Sequence, residues 1–209
     1  MKLIKLACTL YFLATVMTFG QDITMTGSSH ANDEALNDIL RFENIEYHTV
    51  QFTGTELKGK PYRIVANEIW DGKIISDTVI FDSKRMGIPQ FAVLKDTTLS
   101  FKVLAKRTPK NQLKMNFMFP RFGTTKYFDA LETDEYSLRN LITESNLPVK
   151  IGEEFYLMAY ILPYEREDGS KSWCEVGTNG RDVENWGEKF NIKHYLLIKM
   201  CIDCADIKS

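Results

Sequence analysis

Apolar and polar side chains alternate with a period of two along most of this chain, and turn-forming residues punctuate the alternation. Residues 45–53, 61–70, 73–82, 98–107, 113–119, 155–163, 172–176 and 193–202 are each rich in β-branched and aromatic side chains. Eight such segments and few helical patterns predict an all-β fold, an antiparallel β-sandwich of about eight strands with one or two short helices. Two segments carry large apolar groups on both faces: Phe155, Leu157, Met158 and Ile161 in one, Leu196, Leu197, Ile198 and Met200 in the other. A strand covered on both sides needs that pattern, so both are predicted to be central. One helix is predicted behind Asn32 as cap, with Leu36, Ile39 and Leu40 at helical spacing and Asp33 and Glu34 in the first turn. A second is predicted where Tyr136, Leu138, Leu141 and Ile142 follow Thr133 or Asp134 and precede Pro148.

Two hairpins can be set in register. Asp71-Gly72 supplies the residues of a two-residue type I′ turn, which places Trp70 opposite Lys73, Ile64 opposite Val79 and Tyr62 opposite Phe81. In that register Glu68 opposes Ile75 and Asp77 opposes Ala66, so the two carboxylates become diagonal neighbours on one face. In the second hairpin the apolar series Leu99, Phe101, Val103, Ala105 and Leu113, Met115, Phe117, Phe119 share a face only if Phe101 meets Phe119 and Val103 meets Phe117. The loop is then Pro109-Lys110-Asn111, with Asn111 left-handed.

The chain's beginning reads as an export signal over residues 1–20. Lys2 and Lys5 precede an uncharged, mostly apolar run from Leu6 to Phe19, and Thr18 and Gly20 stand before Gln21. A run of about 14 residues is short of the ~20 that cross a bilayer, and no later segment is longer, so no membrane span is expected in the mature chain. Residues 21–31 are small and polar and are expected to form a flexible leader, with residues 32–209 as a single domain. The whole chain carries 26 basic and 28 acidic residues, and cleavage removes two lysines. The mature balance is acidic and excludes the basic face that nucleic acid requires. None of the eleven asparagines from Asn32 to Asn191 begins an Asn-x-Ser/Thr acceptor, which favours a bacterial export route to the periplasm or cell exterior.

Candidate chemistry is sparse. Glu68 and Asp77, if held together beside Trp70, form the kind of carboxylate pair that retaining glycosidases use, and they are the catalytic candidates. The patternless stretch 177–192 contains Arg181 and Trp186 and follows Trp173. Long loops often carry function, so these three are the ligand-binding candidates. Three cysteines follow the signal, and in an oxidising compartment a disulfide from Cys174 to Cys201 or Cys204 is expected. Adding His194 to the cysteines gives no recognised zinc spacing, and the Glu-rich turn at Tyr164–Glu175 lacks the first oxygen ligands of a calcium loop, leaving a polar hairpin around Asp168-Gly169. No metal and no cofactor is expected. His48 and His194 have no Gly-x-Ser-x-Gly nucleophile to serve and are read as structural.

Gln21 behind the signal, Leu57-Lys58-Gly59-Lys60 leading into Tyr62, the Trp70-Asp71-Gly72-Lys73 hairpin, and the late Ser172-Trp173-Cys174-Glu175 and His194-Tyr195 segments give the chain a definite layout. In that layout it resembles an uncharacterised family of exported proteins of Bacteroides-type bacteria, grouped as a domain of unknown function. The resemblance implies an envelope location and transfers no active site. The expected function is therefore a non-enzymatic binding or interaction module with a glycan or protein partner. The alternatives are a small carbohydrate-active hydrolase using Glu68 and Asp77, and an assembly subunit that pairs through a strand edge.

Overall fold

Strand-forming residues become a sandwich when each strand's apolar face finds a second sheet. The computed structural model, which describes residues 23–142, 148–173 and 182–205, shows two five-stranded antiparallel sheets packed in that way. The first contains β1 (Thr24–Ser28), β2 (Glu46–Thr53), β5 (Thr98–Thr108), β6 (Gln112–Met118) and β7 (Gly123–Asp129), in the order β1-β2-β5-β6-β7. The second contains β3 (Tyr62–Trp70), β4 (Lys73–Asp82), β8 (Ser137–Asn140), β9 (Glu154–Ile161) and β12 (His194–Ile202), in the order β4-β3-β12-β9-β8. A small separate hairpin pairs β10 (Tyr164–Glu165) with β11 (Lys171–Ser172) around Gly169, whose φ of 78° makes the turn. Two short helices, α1 (Glu34–Phe42) and α2 (Trp186–Phe190), complete the described residues' main elements.

The core lies between the sheets. Val50, Phe52, Phe101, Val103, Met115 and Phe117 from the first meet Ile64, Ala66, Met158, Ile198 and Met200 from the second, all of them buried. Each of these side chains other than Ala66 contributes about 1.5–3 kcal/mol on leaving water. Strands β9 and β12 are interior to their sheet, as their two-sided apolar pattern requires. The outer face of β12 carries Tyr195 and Leu197, both buried; Tyr195 packs against Trp186 of α2 and donates to the Val183 carbonyl. The β5–β6 hairpin has the expected register, with Val103 opposite Phe117, and Asn111 takes φ 52° in the loop.

Five expectations are corrected. Among the described residues the strand count rises to twelve, because β1, β7, β8 and β10 form without an apolar run of their own. β1 lies in the stretch 21–31 expected to be a flexible leader: it pairs with β2 along its whole length, and Ile23 beside it is buried. Backbone hydrogen bonds offered by the edge of β2, rather than side-chain pattern, hold it there. Of the expected helix at Tyr136–Ile142, Ser137–Asn140 is instead β8, whose inward Leu138 and Asn140 alternate with period two, while Leu141 and Ile142 are helical. Finally, Cys201 is bonded to Cys204 across the turn that ends β12, where Asp203 takes φ 63° and brings the two Cα atoms to 5.9 Å. Neither cysteine is then available to Cys174, which lies outside the described residues. The cap of α1 is also displaced by one residue, since the Asp33 carboxylate, not Asn32, accepts the N–H of Leu36.

Candidate functional site

Four inward-facing stripes of the sandwich end in polar residues, and all four do so at the same end of the molecule. On β5 the series Leu99, Phe101, Val103, Ala105 continues to Arg107, and on neighbouring β2 the series Phe52, Val50 continues to His48 and Glu46. On β12 the series Met200, Ile198, Leu196 continues to His194, and on β3 Ile64 and Ala66 continue to Glu68 and Trp70. Burying polar groups is costly unless they bond one another, and these do. The Trp70 indole N–H donates to Glu68 Oε1 at 3.0 Å, and the Ser76 hydroxyl donates to Oε2 at 3.2 Å. His194 is fully buried and stacks on Trp70 with ring centroids 4.1 Å apart. The Tyr136 oxygen accepts the Leu131 N–H at 3.1 Å and lies 2.6 Å from His194 Nδ1. The phenol is assigned as donor to Nδ1, which leaves the ring proton on Nε2, 3.5 Å from Glu68 Oε1 and too far to close a good hydrogen bond.

Burial sets the protonation of this array. It lowers the His194 pKa to about 4 and raises that of Tyr136 to about 12, so both are neutral at pH 7. His48 is likewise pushed down to about 4 by burial. A neutral histidine that already accepts a bond fixes the position of its neighbours and moves no proton near neutral pH.

Tyr136 also faces outward. With Tyr160, whose ring lies 5.6 Å from its own, it lines a cavity of about 590 Å³ closed by α1, the start of β2 and the end of β5. Charged residues around this cavity occur in pairs: Arg107 with Asp134 at 2.7 Å and Lys106 with Glu43 at 3.3 Å. Arg107 Nη1 also donates to Asn111 Oδ1 at 2.8 Å, which ties the guanidinium to the β5–β6 loop. The Glu46 carboxyl titrates above its usual range because it is buried, despite a hydrogen bond from Ser137 and the charge of Arg139. The result is a concave site of the usual ligand-binding size with fixed donors and acceptors and little net charge.

The residues singled out from sequence fare differently. β-Bulges that leave Ile75 and Ile80 of β4 unpaired shift the register against β3, so Glu68 opposes Ser76 and Asp77 opposes Asn67. Asp77 bonds Asn67 on the outer face while Glu68 bonds Ser76 and Trp70 on the inner face. The two carboxylates therefore point to opposite sides of the sheet and cannot flank one substrate. Trp186 is 1% exposed and presents no platform. Trp173 is half-buried, its N–H directed at the Ile161 carbonyl at 3.4 Å and its ring covered by the Arg139 guanidinium at 5.3 Å. Arg181 lies outside the described residues. Sequence reading missed Arg107, Tyr136, Tyr160 and Glu46; the available signal was a polar residue completing an apolar alternation at each strand end. Among the described residues no cluster of three metal-ligating side chains occurs, and no helix is long and apolar enough to cross a membrane.

Fold and site together define a β-sandwich with a polar cavity at one end. No protein-family model, curated protein or solved structure matches the chain.

Proposed function

We propose that this is a non-enzymatic binding module exported to the envelope of a Bacteroides-type bacterium, and that its ligand, a glycan or a protein, seats in the end cavity. The observation that carries the reading is the cavity itself: about 590 Å³, walled by Tyr47, Tyr136 and Tyr160 and ringed by Arg107, Asp134, Lys106 and Glu43 in mutually paired positions. Paired charges present directional hydrogen bonds without a net field, and aromatic edges offer apolar surface, a combination that suits an uncharged polar ligand such as a glycan. Export and cell location rest on the signal-like beginning of the chain and on its layout.

Glycan-array binding tests the reading, with Arg107→Ala as the reporter variant. Arg107 lines the cavity, and its partner Asp134 is 68% exposed, so water replaces the lost guanidinium at small cost to folding. A hydrogen bond to a charged group is worth about 1.5–3 kcal/mol, so the variant should bind about 10- to 100-fold more weakly. Equal binding by wild type and variant would remove the ligand from this cavity. A Glu68→Gln, Asp77→Asn double variant should bind as wild type does, and glycan cleavage that it abolished would restore the hydrolase alternative.

A further inference from the structure

A second cavity, about 700 Å³, lies against the outer face of the first sheet, and it meets the first at His30 and Tyr47, which line both. The helix α1 bridges the junction: Leu40 lines the first cavity and Leu36, one turn earlier, lines the second. The segment leading into α1 is held in place by Asn37, whose side-chain oxygen accepts the Ala31 N–H and whose amide donates to the Ala31 carbonyl, both at 2.8 Å. Either cavity alone has the volume of a compact small-molecule site, and the two in series exceed the ~300–1,000 Å³ range of such sites. A joint occupant must be long.

We propose that the two cavities form one extended cleft for a linear, uncharged oligosaccharide, with Tyr47 at its midpoint. The inference rests on the binding-module reading above and deepens it by naming the ligand class. The second cavity is lined by hydroxyl and amide side chains, among them Ser28, Thr49, Gln51 and Ser100, interrupted by Met118 and Pro120. Sugar rings match such a surface, because they present hydroxyls around the edge and C–H groups on the faces. An extended peptide is the other long, polar ligand, but it is commonly held by backbone hydrogen bonds to a free sheet edge. Here the floor of the cleft includes β2 and β5, each paired with a strand on both sides, together with the edge strand β1 through Thr26, Gly27 and Ser28. The backbone groups of the two inner strands are engaged, so over them recognition falls to side chains.

The test is the chain-length dependence of binding for neutral cello-, xylo-, manno- and malto-oligosaccharides of two to six units, measured calorimetrically on the purified protein. For the series that binds, the six-unit sugar is expected to bind at least about tenfold more tightly than the two-unit sugar. Gln51→Ala combined with Lys102→Ala, two exposed positions in the second cavity only, should bring the six-unit affinity down to the two-unit value and leave the two-unit affinity unchanged. Tyr47→Ala should weaken both. Length-independent binding, or a length advantage that survives the Gln51, Lys102 double variant, would overturn the extended cleft while leaving the end cavity as a binding site. Binding of an extended peptide library in place of every sugar would overturn the ligand class, and no binding to either would overturn the binding-module reading with it.

Discussion

Replacing Trp186 by alanine is expected to destabilise the protein by about 3–5 kcal/mol while leaving glycan binding intact. The indole is buried between α2 and the outer face of β12, 6.4 Å from the Tyr195 ring. Tyr195 fastens the same segment: its hydroxyl donates toward the Val183 and Glu184 carbonyls, at 3.1 and 2.9 Å, and accepts the Gly187 N–H at 3.2 Å. Directly beyond Trp186, Gly187 packs on the β3–β4 turn so closely that a Cβ there would fall 2.6 Å from the Gly72 Cα. Neighbours held this tightly cannot collapse into the space a lost indole leaves, so the cavity term is expected at its upper range. Urea unfolding should show a lower midpoint with unchanged slope, since the surface exposed on unfolding hardly alters. Loss of glycan binding without loss of stability would instead mean that Trp186 serves the ligand.

That contrast shows what kind of information the chain carries in its local pattern. Strand positions were readable because burial of one face imposes period two, and the β5–β6 hairpin was readable because both of its faces had to agree. The β3–β4 hairpin obeyed its Asp71-Gly72 turn at Trp70 and Lys73, then departed from the expected register at the first bulge. Nothing near Ile75 announces an unpaired residue, yet one extra residue exchanges the faces of everything beyond it, which is why Glu68 and Asp77 part company. Likewise Tyr136 and Leu138 fit a strand as well as they fit a helix; the free edge of β9, which β8 occupies, decides the matter. β1 is a mostly exposed edge strand of threonine, glycine and serine with the single apolar Met25, which no apolar periodicity would find.

The end cavity was hidden for a different reason. Its residues come from α1, β2, β5, the Tyr136 lead-in to β8, and β9, so no spacing in the sequence joins them. What could be read was a recurring exception: Glu46, His48, Glu68, Arg107 and His194 each stand at an inward position where the alternation calls for an apolar residue. A single exception of this type is usually a satisfied core residue. Four strands that break the rule at one end of a sandwich mark a place where the fold gives up apolar contact for hydrogen bonding.

The same buried groups make the protein acid-sensitive. His48 and His194 have folded-state pKa values of about 4 against an ordinary 6.5, so between those limits the unfolded chain takes up protons that the folded chain refuses. Stability must then rise with pH across that window: it is fully present above about pH 6.5 and is lost as pH falls toward 4. Each histidine accounts for at most about 3 kcal/mol, and the pair for about 6. Glu46 opposes them, because a carboxyl whose folded pKa is raised favours the folded state at low pH. With two histidines acting against one carboxyl, urea midpoints should fall between pH 7.5 and pH 4.5. A His48→Gln, His194→Gln double variant, in which the amide oxygen can still accept the Tyr136 proton, should start less stable and respond less to acid. A midpoint that stays level or rises on acidification in the wild type would show that burial does not hold these rings neutral. Binding should follow the same course, for a reason the geometry supplies. Once Nδ1 of His194 takes a proton it can no longer accept from Tyr136, and a tyrosine that lines the cavity loses the bond that orients its hydroxyl.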